Sequence, residues 1–559
     1  MIHRALLVGA GLVVLAGCAS PPSTEARLVA ERIRTRIEAA GVVAELRAGG
    51  EPVYASSVLP SFYVRRLYRP AWSDGRGPTR LADDLVAALH RADLEGLRSE
   101  DYHLKGIEAV LAAVRADDKH GPALDPDRWA ELDLLLTDAF LVYGAHLLGG
   151  RVDPETINPQ WVANGRTADI AVVLEAGLAS RDIPGAIETL VPSQYGYRRL
   201  REALAMDREV AAAGGWPAIP DGVALQFGDT GGPVAALRAR LRVEGDLGGG
   251  DAPPQEYNPR GFDGEVERAV KMFQERHGLA ADGVVDVATR AELNVPVERR
   301  VEQLELNLER WRWLPRDLGR RHIIVNIAAY QLEVVEGDSV VLAMRVVVGK
   351  PFNRTPVLSD TMRYLVLNPY WHVPRDIATD ELLPKARRSA SYLAQNKMRI
   401  FPASGSGGRE VDPTDVNWSA LTPNRFPYQM RQDPGPRNAL GRVKFMFPNK
   451  YHVYLHDTPS GSLFAEAQRD FSHGCIRIQR PIDLAVYLLN DPLWDRDAIL
   501  LALDSAVDRD VPLPEPIPIH LLYWTAWANR DGTIQFRPDI HSRDAPLLKA
   551  LRAPPPSTN

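Results

Sequence analysis

Ser472-His473-Gly474-Cys475-Ile476-Arg477 encloses one of only two cysteines in 559 residues. The other, Cys18, closes an apolar run at the N-terminus, so Cys475 has no partner for a disulfide within the body of the protein. Its neighbours are His, Gly and Arg instead of apolar residues. A nucleophilic thiol needs a base nearby to take its proton, and two histidines qualify, His473 and His456. Burial as a small hydrophobe is the ordinary fate of a free cysteine. It does not explain a Ser-His-Gly-Cys turn set downstream of a His-bearing strand.

Working outward, His452-Val453-Tyr454-Leu455-His456 alternates apolar and polar residues. The alternation predicts a strand with Val453 and Leu455 toward the core and His452, Tyr454 and His456 on the opposite face. Earlier come further β-rich runs: 323–327, 332–335, 340–348 and 364–367, then 443–447, with turns at Gly337-Asp338 and Gly349-Lys350. Together they predict a β-dominated catalytic core over 300–545. Residues 376–442 interrupt it with polar, Gly- and Pro-rich sequence. An insertion of that length in a compact domain reads as a lid or binding loop. Ile519 to Trp527, followed by Asp531-Gly532, reads as a C-terminal hairpin, and 546–559 as a disordered tail.

Toward the N-terminus the texture is helical. Leu81, Leu85, Ala88 and Leu89 recur at helical spacing, as do Leu132, Leu135, Leu136 and Phe140, up to the stop at Gly149-Gly150. These predict a tether and first helix over 18–50 and a helical scaffold domain over 51–215. Residues 222–296 form a small three-helix unit, with Val266, Ala269, Val270 and Phe273 on one helix face and Asp286 capping the third helix. Phe273-Gln274-Glu275-Arg276-His277-Gly278-Leu279, with Asp282-Gly283, Thr289 and Leu293, resembles the peptidoglycan-binding module of cell-wall enzymes.

Leu15-Ala16-Gly17-Cys18 resembles the bacterial lipobox. That resemblance implies a signal peptide over 1–17, lipidation of Cys18, and attachment to the periplasmic face of the outer membrane of a Gram-negative bacterium. The lipid would be the chain's only membrane contact. With 66 basic and 72 acidic residues, net −6, the chain has no electrostatic footprint for nucleic acid. A lone Cys beside Gly does not make the four-ligand set of a structural zinc, and neither a metal nor a cofactor is expected.

The His456…Ser472-His473-Gly474-Cys475 arrangement, followed by Arg477, resembles the signature of the L,D-transpeptidases of bacterial cell-wall synthesis, the YkuD-type domain. Asn307-Leu308-Glu309-Arg310-Trp311, Thr355-Pro356, Asn368-Pro369-Tyr370-Trp371 and Gln432 to Gly441 resemble the large multidomain Gram-negative branch. The resemblance implies a multidomain α+β protein: a helical scaffold, a three-helix wall-binding domain and a lidded β-rich catalytic domain. It also implies Cys475 as nucleophile, His456 as base, and His473 and Gly474 in the turn lining the oxyanion site. From residue types alone the two histidines are not ranked. Tyr454 is either a hydroxyl donor or a packed aromatic, and Arg477 either holds a substrate carboxylate or braces the loop. Trp371, Tyr428 and Arg431 are candidates for substrate contact or for packing. The implied partners are peptidoglycan stem peptides, a donor tetrapeptide and an acceptor diamino-acid side chain. The implied reaction is ping-pong acyl transfer making 3–3 cross-links, with acylation of the thiol by carbapenems. Hydrolysis of the same bonds as a carboxypeptidase, or a non-catalytic wall tether, are the competing readings.

Overall fold

The computed structural model describes residues 23–43, 45–74, 77–118, 125–162, 165–248, 258–389, 391–403 and 409–555. The lipobox and Cys18 lie outside them.

The scaffold is organised on the helix Pro126–Gly149, whose cap is Asp125, accepting the N–H of Asp127 at 3.0 Å. This helix is long and apolar enough to cross a membrane, but it is mostly buried inside the protein as a core helix. Two carboxylates inside it hold neighbouring segments through their backbones. Asp133 accepts from Tyr63 Oη at 2.6 Å and from the N–H of Ala71 and Trp72. Asp138 accepts from the N–H of Ala55 at 2.6 Å and faces His103 Nε2 at 2.7 Å. The first helix, Thr24–Val43, packs Val29, Ile33 and Ile37 into this same core and so belongs to the scaffold.

The three-helix unit comprises Gly232–Val243, Gly264–Arg276 and Val287–Leu293, closed around Val234, Leu237, Val270, Phe273 and Leu293. Asp286 caps the third helix through the Thr289 N–H at 2.7 Å. Gln274 is structural: its amide donates to Asp282, the Val284 carbonyl and Thr289, and accepts from the Gly283 N–H.

The catalytic region is a β-barrel. Its strands are β1 (Arg321–Asn326), β2 (Gln331–Glu336), β3 (Ser339–Gly349), β4 (Leu358–Leu367), β5 (Val443–Met446), β6 (Leu455–His456), β7 (Asp470–Ser472), β8 (Ile476–Ile478) and β9 (Arg509–Leu522). The order is β7-β3-β8-β6-β5-β4-β9-β1-β2, and β2 pairs again with β3. Eight strands therefore close on themselves, with β7 appended to β3, and closure removes the exposed edges. Val325, Val334, Val346, Leu365, Phe445, Leu455, Ile476 and Leu521 fill the core, joined by Leu484, Leu488 and Leu503 from the following helices.

Five expectations change. The strand read over His452–His456 shrinks to Leu455–His456, because His452 takes a left-handed turn at φ 54°. Ile519–Leu522 is not part of a hairpin but the end of β9, which runs between β1 and β4. The hairpin is the later pair Ala526–Ala528 and Ile534–Phe536. The segment expected to be a disordered tail contains most of a helix, Asp544–Arg552, with Leu547 and Leu551 buried against Trp161 and Trp313. The helix Val297–Arg312, assigned from residue 300 onward to the catalytic domain, packs Leu304, Leu308 and Trp311 into the scaffold core. Finally, the lid begins before 376: Trp371–His372, Tyr428–Gln432 and Met398–Pro402 form a three-stranded sheet over a small core of Leu383, Leu393, Ile400, Trp418 and Met430.

Candidate functional site

Strand register assembles the site on the outer face of the barrel wall. β6 runs parallel to β8 with Leu455 opposite Ile476 and His456 opposite Arg477. One step back along both strands, Tyr454 stands beside Cys475. β5 is antiparallel to β6 with Lys444 opposite His456. Leu455, Ile476 and Phe445 point into the core, so the period-two alternation turns Tyr454, His456, Cys475, Arg477 and Lys444 to the other face together.

Cys475 is a free cysteine, partly exposed. Burial pushes its thiol above the usual value, and four neighbours pull the other way: the Tyr454 main-chain N–H, the Tyr454 hydroxyl, Lys444 and Arg477. The Tyr454 hydroxyl is raised by its own burial and by the facing thiolate charge. Lys444 Nζ lies 3.9 Å from the centre of the Tyr454 ring, and burial lowers its pKa while the thiolate raises it. Arg477 is depressed by burial and sustained by Cys475 and Glu381, and its buried Nε has no hydrogen-bond partner among the described residues. Two cations thus flank a thiol in a half-dry site.

His456 is 4% exposed. Its Nδ1 meets the Asp457 carbonyl at 2.6 Å, and because a carbonyl only accepts, Nδ1 carries the proton and Nε2 is the basic nitrogen. Burial, with Arg477 and Lys444 adding to it, holds the ring down to about 3. It is therefore neutral at pH 7. Among the described residues no hydrogen bond joins His456 to Cys475. Tyr454 stands between the two roles, edge-on to His456 at 5.8 Å and bonded to the sulfur.

The turn carrying the thiol is pinned from both sides. Ser472 Oγ donates to the Cys475 carbonyl and accepts the Gly474 N–H at 3.1 Å. Gly474 has φ 112°, a region that L-residues with side chains rarely enter, so glycine is required by conformation and not by crowding. The Gly474 N–H is occupied by Ser472, so it is not free to donate to a bound group. The Nε2 of His473 pairs with Glu381 of the lid at 2.8 Å.

The remaining candidates sit elsewhere. Trp371 and Tyr428 pack in the lid's own core, Tyr428 edge-on to Phe426. Arg431 stacks over Tyr370 at 4.4 Å and Phe401 at 4.9 Å, within the lid. Sequence reasoning missed Lys444 and Glu381, and it quoted Ser472 in the motif without giving it a role. The alternation Val443-Lys444-Phe445 turns Lys444 away from the core, but only cross-strand register places it beside His456. Among the described residues no group of three or more His, Cys, Asp or Glu side chains is placed to hold a metal ion.

Comparison with known proteins follows this anatomy. Residues 57–204 match the model of a "Scaffold domain", 230–293 that of a "Putative peptidoglycan binding domain" and 320–494 that of the "L,D-transpeptidase catalytic domain", YkuD. A "Putative L,D-transpeptidase" of Haemophilus influenzae is 34% identical over 243 residues, 44% of this chain and 48% of that protein. The chain thus spans about half the length of this curated relative. A crystal structure of the L,D-transpeptidase (residues 123–326) from Xylanimonas cellulosilytica aligns at 16% identity over 54% of this chain and 98% of that one. Its TM-score of 0.16 is too low to carry an argument. A barrel with a thiol on its outer face, joined to a scaffold domain and a putative peptidoglycan-binding domain, is the architecture of a multidomain enzyme. Residues 320–494 thus carry a YkuD-type L,D-transpeptidase catalytic domain, beside a scaffold domain and a putative peptidoglycan-binding domain.

Proposed function

We propose that the chain is a cysteine-dependent L,D-transpeptidase that forms 3–3 cross-links between peptidoglycan stem peptides. The observation that carries this reading is the face shared by Cys475, Tyr454, His456, Lys444 and Arg477 under the lid. At rest the thiol is neutral, since burial raises it, and the imidazole is neutral too. Donor binding excludes further water, and the thiol proton passes to Nε2 of His456, directly or through Tyr454. The sulfur then attacks the carbonyl carbon of the third stem residue, a diamino acid. Its oxygen becomes an oxyanion, which the N–H groups of His473 and Cys475 receive. The C–N bond to the terminal D-Ala breaks as His456 returns the proton to the leaving amine, leaving a thioester on Cys475. The side-chain amine of a second stem attacks that thioester and gives its proton to His456, which passes it to the departing sulfur as the S–C bond breaks, so a 3–3 amide forms and the Cys475 thiol is restored. One amide replaces another, so no energy source is needed.

Arg477, with an Nε unpartnered among the described residues, supplies a fork for a substrate carboxylate. The lid excludes water, favouring amine over hydrolysis. Carbapenems acylate the same thiol in this reading. The chain would act from a lipid anchor at Cys18 on the periplasmic face of the outer membrane, with the 230–293 module on the wall.

Mass spectrometry of products from disaccharide-tetrapeptide tests this. The expected product is a dimer lighter by one D-Ala than two substrates, absent with Cys475→Ala. Tripeptide without dimer would instead establish a hydrolytic carboxypeptidase, and unchanged substrate in folded protein a wall tether.

A further inference from the structure

The loop 350–354 and Thr355, between β3 and β4, separate the catalytic turn from a buried segment near the C-terminus. Thr355 is fully buried. Its hydroxyl donates to the Gly474 carbonyl at 2.9 Å and accepts the Gly349 N–H at 2.9 Å. Its own carbonyl accepts from Arg543 Nη2 at 2.9 Å. The Gly349 carbonyl accepts from His541 Nε2 at 2.7 Å, which fixes that tautomer. There is no slack in the loop: a Cβ at Gly349 would fall 2.0 Å from the Asn353 carbonyl. Gly474 and Thr355 are therefore held from behind by His541 and Arg543, residues beyond the 320–494 catalytic match.

The holder is itself held. Asp539 accepts from Tyr523 Oη at 2.5 Å and from the N–H of Arg543 and Asp544. His541 stacks on Tyr523 at 5.6 Å and donates its N–H to that hydroxyl. Asp544 pairs with Arg310 at 2.5 Å, on the helix that packs into the scaffold core. Arg543 is 2% exposed, its guanidinium lies 5.4 Å from the Trp161 ring centre and 4.9 Å from that of Tyr523, and neither Nε nor Nη1 has a hydrogen-bond partner among the described residues. The two rings offset part of the cost of burying this guanidinium, but with one hydrogen-bonded arm some of that cost remains. That cost suits a residue kept for what the satisfied arm does.

We propose that Thr355, clamped by Arg543 and His541, is a positioning residue for the Cys475 turn, so that the 539–544 segment and the scaffold helix behind it set the geometry of the nucleophile. The inference rests on Cys475 as the reacting thiol. The relay is local and specific: Arg543 to the Thr355 carbonyl, the Thr355 hydroxyl to the Gly474 carbonyl, and Gly474 to the adjacent Cys475.

The test uses the full chain with Thr355→Val, Thr355→Ser, Arg543→Met and the double variant Thr355→Val/Arg543→Met. Two rates are read: iodoacetamide alkylation of Cys475 across pH, which needs no assumption about substrate, and dimer formation from disaccharide-tetrapeptide. Loss of the relay is expected to lower kcat roughly 10- to 100-fold with KM unchanged, as misplacement of a reacting group does. Thr355→Ser should restore most of it. Arg543→Met should lower kcat as well, and the double variant should be no worse than the poorer single one, because both cut one chain. A Thr355→Val enzyme within twofold of the parent in both rates, or additive losses in the double variant, would overturn the proposal. If wild type makes no dimer while Thr355→Val still changes alkylation and Thr355→Ser restores it, the transpeptidase reading fails and the positioning role stands. Should Arg543→Met not fold, the Thr355 pair decides alone.

Discussion

Lys444 and Tyr454 set the charge around the thiol, and each makes a separate prediction. Lys444 pulls the thiol down against burial. Lys444→Met should therefore shift the alkylation profile of Cys475 to higher pH, by roughly half a unit or more, and slow the reaction at neutral pH. An unchanged profile would remove Lys444 from the site's electrostatics. Tyr454→Phe deletes a hydrogen bond to the thiolate, and such bonds to charged groups contribute ~1.5–3 kcal/mol. Thiolate formation at fixed pH should fall by about 10- to 100-fold, read from the same alkylation rates. At this scale the sequence revealed Cys475 and Tyr454 well, because the Ser-His-Gly-Cys turn and the alternation at 453–456 are local signals. Lys444 was not legible, and Ser472 was read as part of the motif but not for its contacts: what they touch depends on strand register and on the fold of a turn. The His473 side chain shows the same limit, since its pairing with Glu381 joins residues far apart in sequence.

The lid meets the catalytic turn through that pairing. Glu381 and His473 are 40% and 28% exposed in their side chains, so the pair is worth only ~0.2–1 kcal/mol. Glu381→Gln should loosen the lid by that amount, raising hydrogen exchange over 375–388 and quickening alkylation of Cys475 a few-fold. Exchange and alkylation both matching the parent would show that the pair does not restrain the lid. The lid was recognisable as an insertion from its polar, Gly- and Pro-rich composition. Its sheet was not, because Trp371–His372 is only two residues long and its partners follow it at a distance. β9 was hidden for another reason. Pro512, Pro514, Pro516 and Pro518 argue locally against a strand, yet at alternate positions they withhold their missing N–H groups along one side only, and the register with β4 shifts between Pro512 and Ile517.

Across the whole molecule, several buried histidines are held neutral. Burial lowers His146 and His456 to about 3, and His520 and His541 to about 4. Unfolding frees each to protonate near 6.5. Their contribution to stability is complete above pH 6.5 and is lost as pH falls through the window down to about 4 and then 3. His103 works in the opposite sense: its pairs with Asp138 and Glu51 outweigh burial and raise it, so its contribution is present below 6.5 and lost as pH climbs past its folded value. His277, His322 and His372 are lowered as well, so seven histidines, opposed by His103 and by Asp207, whose carboxyl burial raises to about 7, predict a melting temperature that drops between pH 6.5 and 4. A flat profile there would contradict the neutral assignments. The C-terminal helix is equally a whole-molecule feature. Leu547 is fully buried, so Leu547→Ala should cost ~2–5 kcal/mol by the usual scale for such truncations, which denaturant titration would read. A disordered tail would show no change. The helix was missed because its pattern is short and is followed by prolines, whereas its burial comes from Trp161 and Trp313, supplied by other domains.

The most direct test of the central claim is to trap the acyl-enzyme. Intact-mass measurement after mixing the full chain with disaccharide-tetrapeptide, and separately with a carbapenem, reports whether a covalent adduct forms, and peptide mapping reports where. The account predicts an adduct equal to the donor less D-Ala, and one equal to the carbapenem, both on the peptide containing Cys475 and both absent in Cys475→Ser. An adduct on any other residue, or folded protein turning over stem peptides with Cys475→Ser, would contradict it.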